Sequence, residues 1–457
     1  MKITVLNGSP KREKSTTLLL VKHLIDNYPQ HEWNVCHICQ SENSHENFLH
    51  AVKYVEKSDI ILWSFPVIFM LVHSDYKRFI EWIYENNFQT AFSNKYAASL
   101  STSNHIYDST AHDYIQAICE DLGMQYFEPF SASKSIALSI KQKQCLETFA
   151  ETLFQSASGK VQRENLFPPL QEKCFTYTST LPLKKVDVKE HRILMLTDCT
   201  DPSSNLYGMI ERMRNTFSGS VEVLDVNKIK MNGSCKACLQ CGMDNVCIYG
   251  NSDDIHEIYN KKIKEADIII FALRMVDRYF SSRWKMFVDR RFLNTTRPQM
   301  VNKQICYLVS GPLRQNYTLH ELIRAQVEID KANLVGIVTD EYQDSQEIDR
   351  LLDVQAQKLI YFADHSYVKP FTFLGVAAGK LLRDLIWERY SVKLNGDYRY
   401  YRKHKMFDFP QKKFDRKIKN IFLINLIRLP WVRKTIQKNT RRIMIAPFRK
   451  VIHNWSK

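Results

Sequence analysis

The sequence predicts an α/β protein with two doubly wound parallel-sheet domains and a basic, mainly helical C-terminal tail. Two observations support this prediction. Short buried strands alternate with helical segments twice along the chain, and the alternation stops near residue 374. Strands that alternate with helices form βαβ units and hence a parallel sheet. A chain of 457 residues also favours two or three domains over one.

The first half holds five strand patterns and five helix patterns. The predicted strands are Ile3–Leu6, Asn34–Ile38, Asp59–Ser64, Tyr96–Ser101 and Met124–Pro129. The predicted helices are Thr16–Asn27, Phe48–Glu56, Tyr76–Glu85, Asp113–Leu122 and Gln142–Gln155. We therefore predict a first domain over residues 1–160. Beyond it the periodicity fades, and Pro168, Pro169 and Pro182 indicate a linker over residues 161–190.

The same alternation restarts in the second half. The predicted strands are Arg192–Thr197, Val221–Val226, Asp267–Ala272, Ile305–Ser310 and Leu334–Thr339. The predicted helices are Asn205–Phe217, Asp254–Ile263, Trp284–Phe292, Thr318–Lys331 and Gln346–Ala363. We predict a second domain over residues 191–365 and interpret it as a degenerate copy of the first, produced by internal duplication.

The net charge of +15 belongs to the predicted tail, residues 366–457. From Val376 onward there are 22 Lys and Arg against 5 Asp and Glu, whereas the rest of the chain has 42 against 44. The cations concentrate in Arg399–Lys405, Lys412–Lys419 and Arg433–Arg442, and a helix is predicted over Lys380–Tyr390. A helical extension packed on the body is the favoured interpretation. An anionic membrane surface contacted through Trp431 and Trp455 comes second, and nucleic acid is least favoured.

The sequence shows no signal-peptide pattern and no apolar stretch of the roughly 18 residues that span a bilayer. We therefore expect a cytoplasmic protein, peripheral at the inner face of the membrane if the tail binds lipid. Thiols stay reduced in the cytoplasm. We therefore expect the eleven cysteines to be buried thiols, metal ligands or redox groups and not a disulfide framework.

The segment from Asn7 to Thr17 has the features of a phosphate-binding loop. It leaves a buried strand, turns on Gly8 and Pro10 and enters a helix through Ser15, Thr16 and Thr17. Such a turn presents backbone N–H groups and the positive end of a helix to an anion. The simpler alternative is a strand–turn–helix in which Ser15 or Thr16 only caps the helix. A second loop, Phe65–Met70, is apolar and begins with proline after the third strand, so it could form a wall for a flat aromatic ring.

Together the two loops resemble the NADPH-dependent FMN reductase group of flavodoxin-like proteins. That family carries Gly-Ser-Pro and hydroxyl residues after strand one, a Ser-Pro-Val-Tyr-type loop after strand three, and then a helix start like Tyr76–Ile80. Phe65 departs from the usual Ser, and Ile68 stands where an aromatic is common. The resemblance implies FMN, reduced by NAD(P)H, with no catalytic acid or base. The implied FMN-binding residues are Ser9, Lys11, Ser15, Thr16, Thr17, Pro66, Val67, Ile68, Phe69 and Ser103.

Four cysteines form a compact set in the second half. Cys235, Cys238, Cys241 and Cys247 have the spacing C-x2-C-x2-C-x5-C. Four thiolates suit an iron–sulfur cluster or zinc, and a compact triple with a nearby fourth is closer to a [4Fe–4S] ligand set. The alternative is a cysteine loop that binds no metal.

This segment resembles the iron–sulfur flavoproteins of the same superfamily, where the motif also follows strand two. Lys285–Arg290 matches their later Lys-x-Phe-Ile-Asp-Arg pattern. The first loop of the second half departs from the family, because Asp198 and Asp201 would repel a phosphate. In the first half the corresponding loop has only Cys36 and Cys39, followed by His45. The resemblance thus implies one redox centre in each half.

We predict a flavin-dependent NAD(P)H oxidoreductase or electron-transfer flavoprotein, with FMN in the first domain and an iron–sulfur cluster as the expected centre of the second. The rival prediction is a degenerate flavodoxin-fold binding or assembly module without redox activity, since fold alone does not establish function. Family members often dimerise, so a homodimer is one prediction. The other is a dimer-like unit formed by the two halves of one chain.

Overall fold

The computed structural model describes residues 1–39, 44–133, 140–409 and 414–439. These residues belong to two compact units, Met1–Tyr400 and Tyr401–Lys457. The predicted domain boundaries remain predictions, because both sheets lie within the first unit. None of the helices in the described ranges combines the length and apolar character needed to cross a membrane.

The first unit contains a five-stranded parallel sheet in its N-terminal half. The strands are β1 (Lys2–Asn7), β2 (Glu32–His37), β3 (Ile60–Pro66), β4 (Tyr96–Ser103) and β5 (Gln125–Ser133). Their order in the sheet is β2-β1-β3-β4-β5, and every pair is parallel. The helices around it are α1 (Thr16–Asn27), α2 (Ser44–Glu56), α3 (Ser74–Glu85), α4 (Asp108–Asp121) and α5 (Ile140–Ser158). This is the flavodoxin-like order, in which ligands bind beside the switch between β1 and β3.

A second five-stranded parallel sheet has the equivalent order, β10-β9-β8-β6-β7. Its strands are β6 (Ile193–Thr197), β7 (Val221–Asp225), β8 (Ile268–Arg274), β9 (Gln304–Ser310) and β10 (Asn333–Thr339). Its helices are α6 (Asn205–Thr216), α7 (Ile255–Glu257), α8 (Ile263–Glu265), α9 (Ser282–Arg290), α10 (Tyr317–Ile329) and α11 (Ser345–Asp364). The predicted α/β class with two doubly wound sheets is confirmed.

Helices α3 and α9 pack against each other and join the two halves with similar contacts from each side. Lys77 and Lys285 are both fully buried, and each is paired with a carboxylate one turn later, Glu81 or Asp289. Each carboxylate also reaches the other helix. Glu81 accepts a 2.6 Å bond from the backbone N–H of Ser282, and Asp289 accepts a 2.9 Å bond from that of Ser74. The two halves therefore bury the starts of α3 and α9 against each other. Whether a gene duplication produced them stays a prediction.

The chain after the second sheet forms α12 (Phe373–Glu388) and α13 (Asn395–Lys403), and α14 (Phe414–Leu426) lies in the second compact unit. Contacts to both halves hold the start of α12. Glu328 accepts from the backbone N–H groups of Thr372 and Gly375, and the Tyr107 hydroxyl donates to the carbonyl of Leu374. The start of the predicted tail is thus a packed part of the first unit. Parts of the predicted basic runs, residues 412–413 and 440–442, and Trp455 lie outside the described residues.

Several element bounds differ from the sequence prediction. Helix α4 begins at Asp108, five residues before the predicted start. The helix predicted over residues 254–263 is instead α7 and α8 joined by a π-helical turn, Ile258–Lys262. The helix predicted near Lys380–Tyr390 begins at Phe373, and the side chain of the preceding residue, Thr372, caps it. These ends depend on single caps and packing contacts, which apolar periodicity does not encode.

Candidate active site

A cavity of about 240 Å³ opens at the carboxyl edge of the first sheet and reaches into the second half. Its walls come from the loops after β1, β3 and β4, from the four-cysteine loop and from α9 and α12. Nine of the ten predicted FMN-binding residues line it: Ser9, Lys11, Ser15, Thr16, Pro66, Val67, Ile68, Phe69 and Ser103. The tenth, Thr17, is fully buried outside the lining, with its hydroxyl 2.6 Å from that of Thr102. One cavity therefore gathers residues separated by more than two hundred positions.

The loop after β1 is held in shape by Asn7, the last residue of the strand. The Asn7 side chain accepts from the backbone N–H of Ser9 at 3.2 Å and donates to the carbonyl of Arg12 at 3.4 Å. Gly8 is required here, because an added Cβ would lie 2.7 Å from the ring of Tyr76. The loop ends at Ser15, whose hydroxyl accepts from the N–H of Leu18 and caps α1. The predicted cap is thus present at the mouth of the cavity.

The loop after β3 has a strained backbone. The backbone φ angles of Phe69 and Met70 are +43° and +69°, and residues other than glycine seldom adopt such positive values. Backbone bonds hold the turn, with Val67 donating to the Thr102 carbonyl and Ile68 to the Leu71 carbonyl. Residues in such conformations persist where the surroundings enforce them, and they cluster at ligand sites.

The second half also supports this loop. The guanidinium of Arg291 lies 4.2 Å from the centre of the Phe69 ring and is paired with buried Asp330. Lys285 donates to the carbonyl of Ile68 at 3.0 Å. The shape of the loop therefore depends on the packing of the two halves.

The polar end of β4 forms one edge of the cavity. Ser103 lines the cavity and lies 3.3 Å from the carboxylate of Asp108. That carboxylate also accepts a hydrogen bond from Ser131 and contacts the half-exposed ring of His105. Burial alone would raise the pKa of Asp108, but the hydrogen bonds from Ser131 and His105 outweigh it and lower the pKa. Asp108 is therefore a carboxylate at neutral pH and orients the hydroxyl at the cavity wall.

All four predicted metal-binding cysteines line the same cavity as the loops after β1 and β3. Cys241 is buried, Cys235 and Cys247 are half-buried and Cys238 is exposed. Burial raises the pKa of Cys235 to about 12, despite a hydrogen bond from the N–H of Ala237. Burial, together with the three other cysteines, also raises the pKa of Cys241 to about 12. Without a metal ion these two side chains are thiols at neutral pH.

The spacing of the four sulfur atoms bears on which metal they fit. A tetrahedral zinc site with bonds of about 2.3 Å places its sulfurs about 3.8 Å apart. Within the described residues, the four sulfurs are not grouped closely enough to form a ready-made site for one metal ion. Ala237 and Leu239 have φ angles of +48° and +60°, a backbone arrangement that can turn N–H groups toward an anionic centre.

Arg290 contacts the cysteine loop through its buried guanidinium. It is buried, forms a 2.8 Å ion pair with Asp253 and donates to the carbonyl of Gly233. Its guanidinium lies 4.2 Å from the centre of the Tyr249 ring, and one nitrogen is 3.8 Å from the sulfur of Cys247. Arg290 belongs to the Lys285–Arg290 motif that the resemblance pointed out. Its contact with Cys247 could be seen only in the structure.

Part of the cavity wall comes from α12 and the segment after it, which lie in the predicted tail. Leu382, Leu385, Ile386 and Leu394 line the cavity. Tyr390 also lines it and donates to the side-chain oxygen of Asn104 at 3.0 Å. The spacing of these apolar residues indicated an amphipathic helix, but no local feature showed which surface the helix would cover.

The corresponding loops of the second half contact other parts of the protein. Asp198 accepts hydrogen bonds from Ser281 and from the backbone N–H of Arg274. Asp277, in the loop after β8, is buried against Lys77 of the first half. A carboxylate therefore lies in each of the two loops that would hold a second flavin.

Comparisons with known proteins cover about a third of the chain. A family model described as a flavodoxin-like fold matches residues 1–155. A search of curated proteins finds no match. A solved NAD(P)H:acceptor oxidoreductase, a flavoenzyme from Paracoccus denitrificans, is 20% identical and covers 35% of this chain and 97% of its own, with a TM-score of 0.30.

Two further solved structures contain FMN. One is an FMN-dependent NADH-azoreductase from Bacillus anthracis, 13% identical over 35% of this chain and 100% of its own, with a TM-score of 0.27. The other is a general stress protein from Treponema denticola, 12% identical over 35% of this chain and 98% of its own, with a TM-score of 0.26. The flavodoxin-like fold of the first half rests on the family match and the strand order.

Proposed function

We propose that this protein is a flavin-dependent NAD(P)H oxidoreductase that holds one FMN in the cavity between its halves. The observation that supports this proposal is the shared cavity, which is lined by the loops after β1 and β3 and by all four cysteines. A flavin placed there would lie beside the cysteine loop. FMN, when bound, accepts hydride from a nicotinamide and passes electrons onward.

The loop after β1 suits the phosphate end of FMN. The N–H group of Thr16, which lines the cavity, belongs to the first turn of α1, where helix geometry leaves it without a partner inside the helix. The positive end of α1 and the exposed Lys11 add favourable charge. The Ser9 hydroxyl lines the cavity and can donate to a phosphate oxygen.

The loop after β3 suits the ring system. Pro66, Val67, Ile68 and Phe69 form an apolar wall, and aliphatic side chains of α12 line the same cavity. Phe69 and Met70, the two residues with positive φ angles, both line the cavity.

We propose an iron–sulfur cluster as the ligand of the cysteine loop. The N–H of Ala237 that donates to Cys235 and the Arg290 cation beside Cys247 both suit an anionic cluster held by thiolates. A bound cluster would exchange single electrons with the flavin. The residues contribute by holding it at the cavity wall and by offsetting its negative charge.

We further propose that the tail binds a membrane surface. Phe414, Ile418 and Phe422 lie one turn apart along α14, and each side chain is mostly exposed. With the surrounding lysines and arginines, such a face suits an interface of anionic lipids.

The first experiment is an absorption spectrum of protein purified without oxygen, with assays for iron and acid-labile sulfide. Flavin bands with stoichiometric iron and sulfide are the expected result. Flavin without iron would reduce the cysteines to a structural loop and leave a simple FMN reductase. A colourless protein that FMN does not reconstitute would favour the binding-module alternative.

The phosphate position is tested with a matched pair of variants at Ser15. Asp and Asn are both good helix caps, so Ser15→Asp and Ser15→Asn both preserve the start of α1, and only the first adds a charge. A carboxylate about 4 Å from a phosphate charge costs about 4 kcal/mol at an effective dielectric constant of 20, or roughly a thousandfold in affinity. We expect Ser15→Asp to lose FMN while Ser15→Asn keeps it. Equal retention by both variants would refute the assigned site.

A further inference from the structure

A second cluster of metal-ligand side chains lies outside the proposed flavin site, where the first half meets the cysteine loop. Cys39 follows β2, and His73 and Asp75 begin α3. Cys39 and His73 are buried, and Asp75 is partly exposed. The Cys39 sulfur, a His73 ring nitrogen and an Asp75 carboxylate oxygen all lie within 4.8 Å of one another.

The spacing of these atoms matches the edges of a zinc coordination tetrahedron. Bonds of about 2.3 Å to sulfur and about 2.1 Å to nitrogen and oxygen place sulfur about 3.6 Å from nitrogen and nitrogen about 3.4 Å from oxygen. In the structure the Cys39 sulfur is 3.5 Å from Nδ1 of His73, and Nδ1 is 3.7 Å from Oδ2 of Asp75. These distances suit one small ion bound to all three residues.

The ring of His73 is oriented as a metal ligand requires. Its Nε2 lies 2.8 Å from the carbonyl oxygen of Cys235, which can only accept, so the proton is on Nε2. The lone pair of Nδ1 therefore faces Cys39 and Asp75. A histidine ligand typically donates its other N–H to a carbonyl or carboxylate, which orients the ring. The Asp75 carboxylate has a partner of its own, the hydroxyl of Ser234 at 2.9 Å.

We propose that Cys39, His73 and Asp75 bind one Zn²⁺ ion. A thiolate and a carboxylate balance its two positive charges, and mixed sulfur, nitrogen and oxygen ligands suit zinc. The partners of His73 and Asp75 are Cys235 and Ser234 of the cysteine loop. The ion would therefore fix the loop against the first half. Its three ligands are distinct from the residues proposed to bind FMN and from the four cysteines of the loop.

The competing explanation is a hydrogen-bonded cluster without metal. The N–H of Asp75 donates to Nδ1 of His73 at 3.2 Å and caps α3, and the Cys39 thiol is 3.2 Å from the carbonyl oxygen of Gly8. Zinc would replace both interactions. The two explanations differ in metal content, which can be measured directly.

The test uses the full chain with the four loop cysteines, Cys235, Cys238, Cys241 and Cys247, changed to serine, so that zinc bound there cannot be counted. After purification with Zn²⁺ and extensive dialysis, elemental analysis is expected to find about one zinc per chain. Adding Cys39→Ser or His73→Gln should reduce this at least tenfold. Cys36→Ser, a nearby buried cysteine outside the cluster, is the matched control and should retain the zinc.

Co²⁺ provides a second measurement. Cobalt added to the metal-free variant is expected to show a sulfur-to-metal charge-transfer band from a single thiolate, and Cys39→Ser should remove it. Circular dichroism checks that each variant is folded. If the folded variant with Cys39 intact binds neither metal, or binds both equally well after His73→Gln, the proposed site is wrong.

Discussion

Replacing Lys77 with methionine is the strongest test of how the two halves are held together. The Lys77 ammonium lies 2.8 Å from Glu81 and 2.9 Å from Asp277, and the lysine is fully buried. Methionine keeps the length of the apolar stem but removes the charge. Glu81 would retain its bond from Ser282, and Asp277 would retain that from the N–H of Tyr279. Asp277 would then be buried without its cation, and Glu81 would keep only the half-exposed Arg78, 3.4 Å away.

Removal of one partner from a buried ion pair costs about 3–5 kcal/mol, because the remaining charge stays buried. We expect Lys77→Met to lower the free energy of unfolding by that amount, measured by urea denaturation with far-ultraviolet circular dichroism. Arg350→Met is the control, because Arg350 pairs with Glu347 at an exposed position. Exposed ion pairs contribute little to stability, so this variant should unfold as the wild type does.

The stability loss should depend on pH. Burial raises the pKa of Asp277 even with Lys77 present, so removal of the lysine should raise it further. The folded state then holds this proton at pH values where the unfolded chain has released it. Stability therefore falls as the pH rises from the unfolded pKa toward the folded one. The deficit of Lys77→Met should be largest at neutral pH and smaller under mildly acidic conditions. A deficit below about 1 kcal/mol, or one that does not change with pH, would refute this account.

Three other predictions follow from single contacts. Burial lowers the pKa of His112 from its usual 6.5 to about 4, so protonation favours the unfolded chain. Stability should fall by about 2 kcal/mol between pH 7 and pH 5, and His112→Gln should remove that part of the acid sensitivity seen in urea titrations. An added Cβ at Gly242 would overlap the carbonyl oxygen of Lys393, so Gly242→Ala should lower the melting temperature, and an unchanged value would contradict the packing. Tyr390→Phe removes the hydrogen bond to Asn104 and should weaken FMN retention by no more than about tenfold in fluorescence titrations, since such a bond contributes about 1 kcal/mol.

Much of the fold could be predicted because its signals are local. Apolar runs that fit strands, and helical periodicity between them, are set by residues a few positions apart. Parallel topology then brings the loops after β1, β3 and β4 to one edge of the sheet, whatever the packing details. Nine of the ten predicted flavin residues consequently line one cavity. The ends of α4 and α12 were missed because a single cap or side-chain contact decides where a helix begins.

The sequence alone determined the α/β class, the two-fold alternation, the loop motifs and the charge of the tail. Only the tertiary structure decided that the cysteine loop of the second half faces the flavin loop of the first. That arrangement depends on the packing of α3 against α9 and on buried pairs such as Lys77 with Asp277. The tertiary structure also decided that α12 forms part of the cavity wall and that His73 contacts Cys39 and Cys235. These contacts join residues far apart in the chain, and their geometry depends on the complementary shapes and charges of surfaces that exist only after both sheets have formed.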